Sequence, residues 1–163
     1  MKTNKIKKVL IALDYDPTAQ KVAETGFSLA KSMGAEVKLL HVYTDAIAYT
    51  SPGHVTIMGF SGYMEADTNA IQEVGSDKLK KASYVFLDKT KHHLDDQTIE
   101  TIVEEGNVAE TIIKIAKDIH ADVIVIGSHS HRWLEEILMG SVTEKVLRHA
   151  TIPVFIVPTK KNE

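Results

Sequence analysis

Two glycines, one helix start and one carboxylate carry the chemistry that this sequence offers. The stretch "GSHSHRWLEEILMGSVTEKVLR" runs from Gly127 to Arg148 and follows the apolar run "ADVIVI". Gly127 lets a chain leaving a strand turn sharply and lets a ligand approach the backbone. Gly140 and Ser141 open an amphipathic helix. Free backbone N–H groups and the helix dipole at such a point favour an anion, most often a phosphate. The Ser141 hydroxyl adds a donor, and Asp14, closing the first apolar run, could accept from ribose hydroxyls. Each residue also has a plainer role. Ser141 followed by Glu144 is a capping box. Gly127 alone is a turn. Asp14, like Asp16, Pro17 and Thr18, could cap the helix that begins near Thr18.

Other chemistries have less support. His129 and His131 could form a metal pair, but spacing places no third ligand beside them. His92, His93 and His149 are read as solvated. His131 and Arg132 could touch phosphate, although an exposed loop position accounts for both. Trp133, Leu134, Ile137 and Leu138 recur at helical spacing, which suits packing onto the domain or a dimer partner. Neither G-x4-G-K-[ST] nor G-x-G-x-x-G occurs. A phosphorylated receiver would need an aspartate ending the third strand, where this chain has "EEGN". No Ser-His-Asp set and no carboxylate cluster for two metals can be assembled. No catalytic residue is therefore expected, and ATP hydrolysis would at most be slow.

The elements that must position these residues follow from periodicity. "VLIAL" (9–13), "VKLLHVY" (37–43), "DVIVIG" (122–127) and "PVFIVP" (153–158) are short β-branched runs. Three are almost continuously apolar, as strands covered on both faces should be. "TIETIVE" (98–104) is more polar and fits a sheet edge. Between them lie helical stripes: Ala19, Val22, Ala23, Phe27, Ala30 and Met33, with Gly34 placed to end the helix; Val108, Ile112, Ile115, Ala116 and Ile119 behind an Asn107 cap; and Val142, Val146, Leu147 and Ala150. A further helix is expected within 65–92, interrupted by Gly75. This alternation specifies an α/β fold: a doubly wound five-stranded parallel sheet with helices on both faces. In order 3-2-1-4-5, the ends of strands one and four meet at the switch point where ligands bind. The stretch 44–63 fits no element and is read as a long loop: a lid, a partner contact and a disordered loop all remain open.

Composition sets the bounds. A chain of 163 residues is expected to form a single domain, 1–163, burying roughly 68–70% of its unfolded surface. There is no cysteine, hence no disulfide or thiolate metal site. With 19 Lys+Arg against 22 Asp+Glu, no electrostatic argument favours nucleic acid or an anionic membrane as partner. The N-terminal apolar run, Val9 to Leu13, is too short for a signal peptide, and no run approaches the ~18 residues of a membrane span. The reading is a soluble cytoplasmic protein.

Taken together, the motif residues match a known pattern. Gly127, two residues, Ser130, nine residues, then Gly140-Ser141-Val142 resembles the G-x2-G-x9-G-[ST]-V signature of the universal stress protein A family. The likeness extends to a first strand ending in Asp14, and to "LLHV", "EEGNVAETI", "ADVIVIGSH" and the terminal "IPVFIVP". It implies the 3-2-1-4-5 sheet of the adenine nucleotide alpha hydrolase-like fold and a homodimer joined through the last strand (152–158). It also implies stress signalling, by members that bind ATP or by members that bind no nucleotide and act as interaction modules. In the binders, the matching positions would be Ala12, Asp14, Val42, Ile126, Gly127, Ser130, Gly140, Ser141 and Val142. Mg²⁺ could accompany ATP, held by phosphate oxygens and water, with Ser141 as a candidate protein contact. Ser130 replaces the second signature glycine. Its side chain could crowd the phosphates or add a hydrogen bond to them.

Overall fold

The computed structural model describes residues 3–14, 17–44, 50–51, 54–57, 60–61, 76–128 and 140–159. The main elements are β1 (Lys8–Ala12), α1 (Ala19–Met33), β2 (Glu36–Tyr43), α2 (Ser76–His93), β6 (Glu100–Glu105), α3 (Val108–Asp118), β7 (Val123–Gly127), α4 (Ser141–His149) and β8 (Val154–Val157). The large sheet is parallel throughout, with strand order β6-β2-β1-β7-β8. Counting only these five strands, this is the expected 3-2-1-4-5.

Strand alternation divides the core into two layers. Val9, Ile11, Leu39 and Val125 face one side and pack with Val22 and Ala23 of α1 and Leu87 of α2. Leu10, Leu40, Ile124 and Ile126 face the other and pack with Ile112 and Ala116 of α3 and Val146 of α4. Both faces of β1 and β7 are buried, which explains why their sequences are continuous apolar runs. Each such side chain contributes roughly 1.5–3 kcal/mol on burial. The helix α1 crosses the sheet closely at Gly26, where a Cβ would lie 2.8 Å from Ile11 Cδ1.

Helix ends follow their sequence signals. Gly34 is left-handed (φ 64°) and closes α1, with the Ala35 amide donating to the Ala30 carbonyl (2.9 Å). The Asn107 side chain accepts from the Glu110 amide (3.2 Å) at the start of α3. The helix expected in 65–92 is described from Ser76; residues 62–75 lie outside the described set.

The stretch 44–63 departs from expectation. It contains three short antiparallel strands, β3 (Thr50–Ser51), β4 (His54–Ile57) and β5 (Phe60–Ser61). The β4 segment "HVTI" carries β-branched residues, which suit a strand. No helix among the described residues is long and apolar enough to cross a membrane.

Candidate functional site

The site sits at the carboxyl ends of β1, β2 and β7. In register, Ala12 pairs with Leu40, and Ile11 with both Leu39 and Val125. Carried past the last paired residues, the same register sets Asp14, Val42 and Ser128 at one level across three neighbouring strands. Asp14 is exposed there, Val42 is 5% exposed, and Ile126 is buried one step below the mouth. Ala12, the last residue of β1, is half-buried.

Parity along β2 fixes where its backbone groups point. The Glu36 amide donates to the Lys7 carbonyl, and the Leu40 carbonyl accepts from the Leu13 amide (2.9 Å), so even-numbered residues face β1. The Tyr43 carbonyl accepts from Gly106, so odd-numbered residues face β6. The Val42 N–H and C=O therefore face β1 at the level where that strand gives way to Asp14.

On the other side of the crevice, hydrogen bonds close the base of the signature loop. The Gly140 amide donates to the Ser128 carbonyl (2.9 Å), which brings the two ends of segment 129–139 together. Thr143 Oγ1 donates to the Gly127 carbonyl (2.8 Å) and pins the first turn of α4 to the end of β7. The Ser128 amide donates to Val157, and the Thr159 amide donates to Ser128 Oγ (3.0 Å). Thr159 is 2% exposed. Sequence reasoning missed Ser128, Thr143 and Thr159, because small hydroxyl residues beside a glycine-rich loop carry no distinguishing spacing.

Two expectations are corrected at this point. Gly127 was expected to supply a sharp turn, but it is the last residue of β7, and among the described residues the positive-φ glycines are Gly34 and Gly106. What it supplies is space: a Cβ there would lie 3.0 Å from Val22 Cγ2 and 3.2 Å from Thr159 Cγ2. Ser141 was weighed as the cap of a capping box. The N-cap is instead Gly140, with extended backbone (φ −68°, ψ 158°), and among the described residues no side chain caps the helix. Ser141 is the first helical residue, and it is exposed. The first-turn amides of α4 are thus left to other acceptors. The one acid of that turn, Glu144, would repel an anion, but it is paired with Arg148 (2.7 Å).

His41 is buried within the site's floor (2% exposed), edge-on to Phe86 of α2 at 5.8 Å between ring centroids. Its Nδ1 lies 2.7 Å from the Leu13 carbonyl. A carbonyl can only accept, so Nδ1 carries the proton. Burial pushes the imidazole pKa down to about 4, against a smaller upward pull from the Leu13 bond, and the ring is neutral at pH 7.

The structure thus gathers Ala12, Asp14, Val42, Ile126, Gly127, Gly140, Ser141 and Val142 at the carboxyl end of the sheet. Ser130 lies outside the described residues, as do His129, His131, Arg132, Trp133, Leu134, Ile137 and Leu138. His93 is not simply solvated: its Nε2 meets Glu24 Oε1 of α1 at 2.5 Å. Among the described residues no group of three or more His, Asp or Glu is arranged to hold a metal ion.

Comparison with known proteins agrees with this geometry. The model of the universal stress protein family matches residues 5–158. Universal stress protein YxiE of Bacillus subtilis is 31% identical, over 92% of this chain and 97% of its own. Universal stress protein MJ0577 of Methanocaldococcus jannaschii is also 31% identical, over 96% and 97%. A solved structure of MJ0577 superposes with a TM-score of 0.67 at 29% identity, covering 98% of this chain and 99% of that one. A universal stress protein solved in complex with cAMP shares the fold, with a TM-score of 0.64 at 16% identity over 96% and 100%.

Proposed function

Because the chain belongs to the universal stress protein family, we propose that it is an ATP-binding signalling protein of the stress-response type, with the nucleotide across the ends of β1, β2 and β7. The adenine lies against the Val42 backbone, which faces the crevice by parity along β2. Asp14 accepts from the ribose hydroxyls. Ala12 and the Ile126 backbone line the floor. The phosphates curl under the segment between Gly127 and Gly140, with Ser130 in that segment, and end on the amides of Ser141 and Val142. Mg²⁺, when bound, neutralises part of the triphosphate charge, with the Ser141 hydroxyl as its protein contact.

The carrying observation is the start of α4, where an extended glycine holds the N-cap and, among the described residues, no side chain takes the first-turn amides. A helix so opened, beside a loop whose two ends are tied at its base, is suited to an anion. Bound nucleotide would change the surface a partner meets at this end of the sheet. The substitution of Ser130 for the second signature glycine favours one alternative, the same fold acting as an interaction module without nucleotide.

The two edges of the sheet differ in a way that supports a homodimer through the last strand. The edge strand β6 carries exposed Glu100, Glu104 and Glu105, charges that discourage strand addition. The other edge, β8, reads Val-Phe-Ile-Val, with Phe155 39% exposed.

The decisive measurement is ligand content. Purified protein is denatured, the supernatant assayed for adenine nucleotide, and ATP titrated by calorimetry with and without Mg²⁺. Retained adenylate or saturable binding is the expected result. Neither, at millimolar ATP, establishes the interaction module instead.

A further inference from the structure

The β1–β2 ladder stops one rung early. Its rungs on the β1 side run from even residues of β2 to odd residues of β1, beginning with the Glu36 amide on the Lys7 carbonyl. The same spacing, carried along the strands, brings the Val42 amide to the Leu13 carbonyl. The Leu13 amide does make its own rung, to Leu40. The Leu13 carbonyl, however, accepts from His41 Nδ1 (2.7 Å), and the Val42 rung is not formed.

We infer that His41 is a positioning residue for the nucleotide site: by taking the Leu13 carbonyl it ends the ladder and leaves the Val42 N–H and C=O as an adenine-reading edge beside Asp14. Three features support this. The imidazole is anchored, buried and edge-on to Phe86, so it cannot readily swing away. It stays neutral, its pKa lowered by burial, so the Nδ1–H is available as a donor without bringing a charge under the base. It is also covalently next to Val42 and hydrogen-bonded to the residue before Asp14, so one ring sets the spacing of both. An amide beside a carbonyl on an extended strand offers one donor and one acceptor, the pair that the Watson–Crick edge of adenine (N1 and the 6-amino group) complements.

This inference rests on the proposed adenylate site, and its test separates the two. In the nucleotide-free protein, amide exchange is measured for Val42 and Leu40. Val42 should exchange at least tenfold faster than Leu40, whose neighbouring rung is made, and should slow in His41→Leu, where the Leu13 carbonyl becomes free to accept it. Equal protection of Val42 and Leu40 in the wild-type protein overturns the inference whether or not nucleotide binds. In calorimetry, His41→Leu should lose about tenfold in ATP affinity and keep its affinity for inorganic tripolyphosphate, which touches only the α4 end. His41→Asn, whose amide nitrogen can stand in for Nδ1, should recover most of the ATP affinity and guards against a Leu variant that fails to fold. Unchanged ATP affinity in His41→Leu, or parallel loss of ATP and tripolyphosphate, overturns the positioning role. A wild-type protein that binds no adenylate defeats both the site and the adenine-reading role, and Val42 exchange then judges the interrupted ladder alone.

Discussion

In the proposed site, Gly140 would bear on the phosphate end through space rather than backbone freedom. Its φ of −68° is open to any residue, and the position is buried. A branched side chain there would occupy the approach to the α4 amides, at a cost of about 1–3 kcal/mol, or roughly ten- to a hundredfold in affinity. Gly140→Val should therefore weaken ATP binding by that factor in calorimetry while far-UV circular dichroism stays that of the wild type. Normal binding would place the phosphates elsewhere. His41 governs a different observable, acid stability. Its folded pKa is about 4, against about 6.5 in the unfolded chain. Between those values the unfolded chain binds the proton and the folded one does not. Stability is thus complete above pH 6.5 and declines as the pH falls towards 4, by on the order of 3 kcal/mol in all. Asp122, whose pKa is lowered by accepting from the Lys7 and Lys8 amides, adds a loss only below the ordinary aspartate range. Urea midpoints at pH 7, 5.5 and 4.5 should fall steadily for the wild type and much less for His41→Asn. Parallel curves would assign the acid sensitivity to other groups.

At the scale of the element, the helix ends show where sequence signals were complete. Gly34 and Asn107 both act as their residue types suggest, because a cap is decided within four or five residues. The end of α3 was less legible. There His120 takes the left-handed position (φ 53°), and the Ala121 amide donates to the Ala116 carbonyl (2.8 Å). A residue with a Cβ pays roughly 1–2 kcal/mol for that conformation. His120→Gly should stabilise the protein by about 0.5–1 kcal/mol net of the entropy glycine adds to the unfolded chain, raising Tm by roughly 1–4 °C. A scanning calorimetry trace with Tm unchanged or lowered would mean that the His120 side chain makes up the difference. The short strands within 44–63 were not legible as elements, since runs of two to four residues are too brief for a period to register.

For the whole molecule, the sheet's two edges predict its assembly. The acidic edge β6 repels a second strand, whereas β8 offers backbone groups flanked by apolar side chains. Phe155→Glu puts a charge on the exposed face of β8 without touching the nucleotide end. If β8 is the joining edge, sedimentation velocity should show the variant shifting towards monomer at concentrations where the wild type is dimeric. An unchanged profile would move the interface away from this strand. The same arrangement places the site and the edge close together, because Thr159, just beyond β8, donates its amide to Ser128 at the base of the signature loop.

The sequence by itself determined the alternation of strands and helices, the two-sided burial of β1 and β7, and the gathering of Asp14 and Gly140 at one end of the sheet. These follow from local periodicity and from the handedness of parallel crossovers, both of which act over a few tens of residues. Only the tertiary structure decided that Gly127 serves for clearance from Val22 and Thr159, and that Gly140 rather than Ser141 holds the cap. It alone also gave the Leu13 carbonyl to His41. Each of these depends on which atoms from distant parts of the chain compete for the same space or the same acceptor, and residue types in order along a chain do not encode that competition.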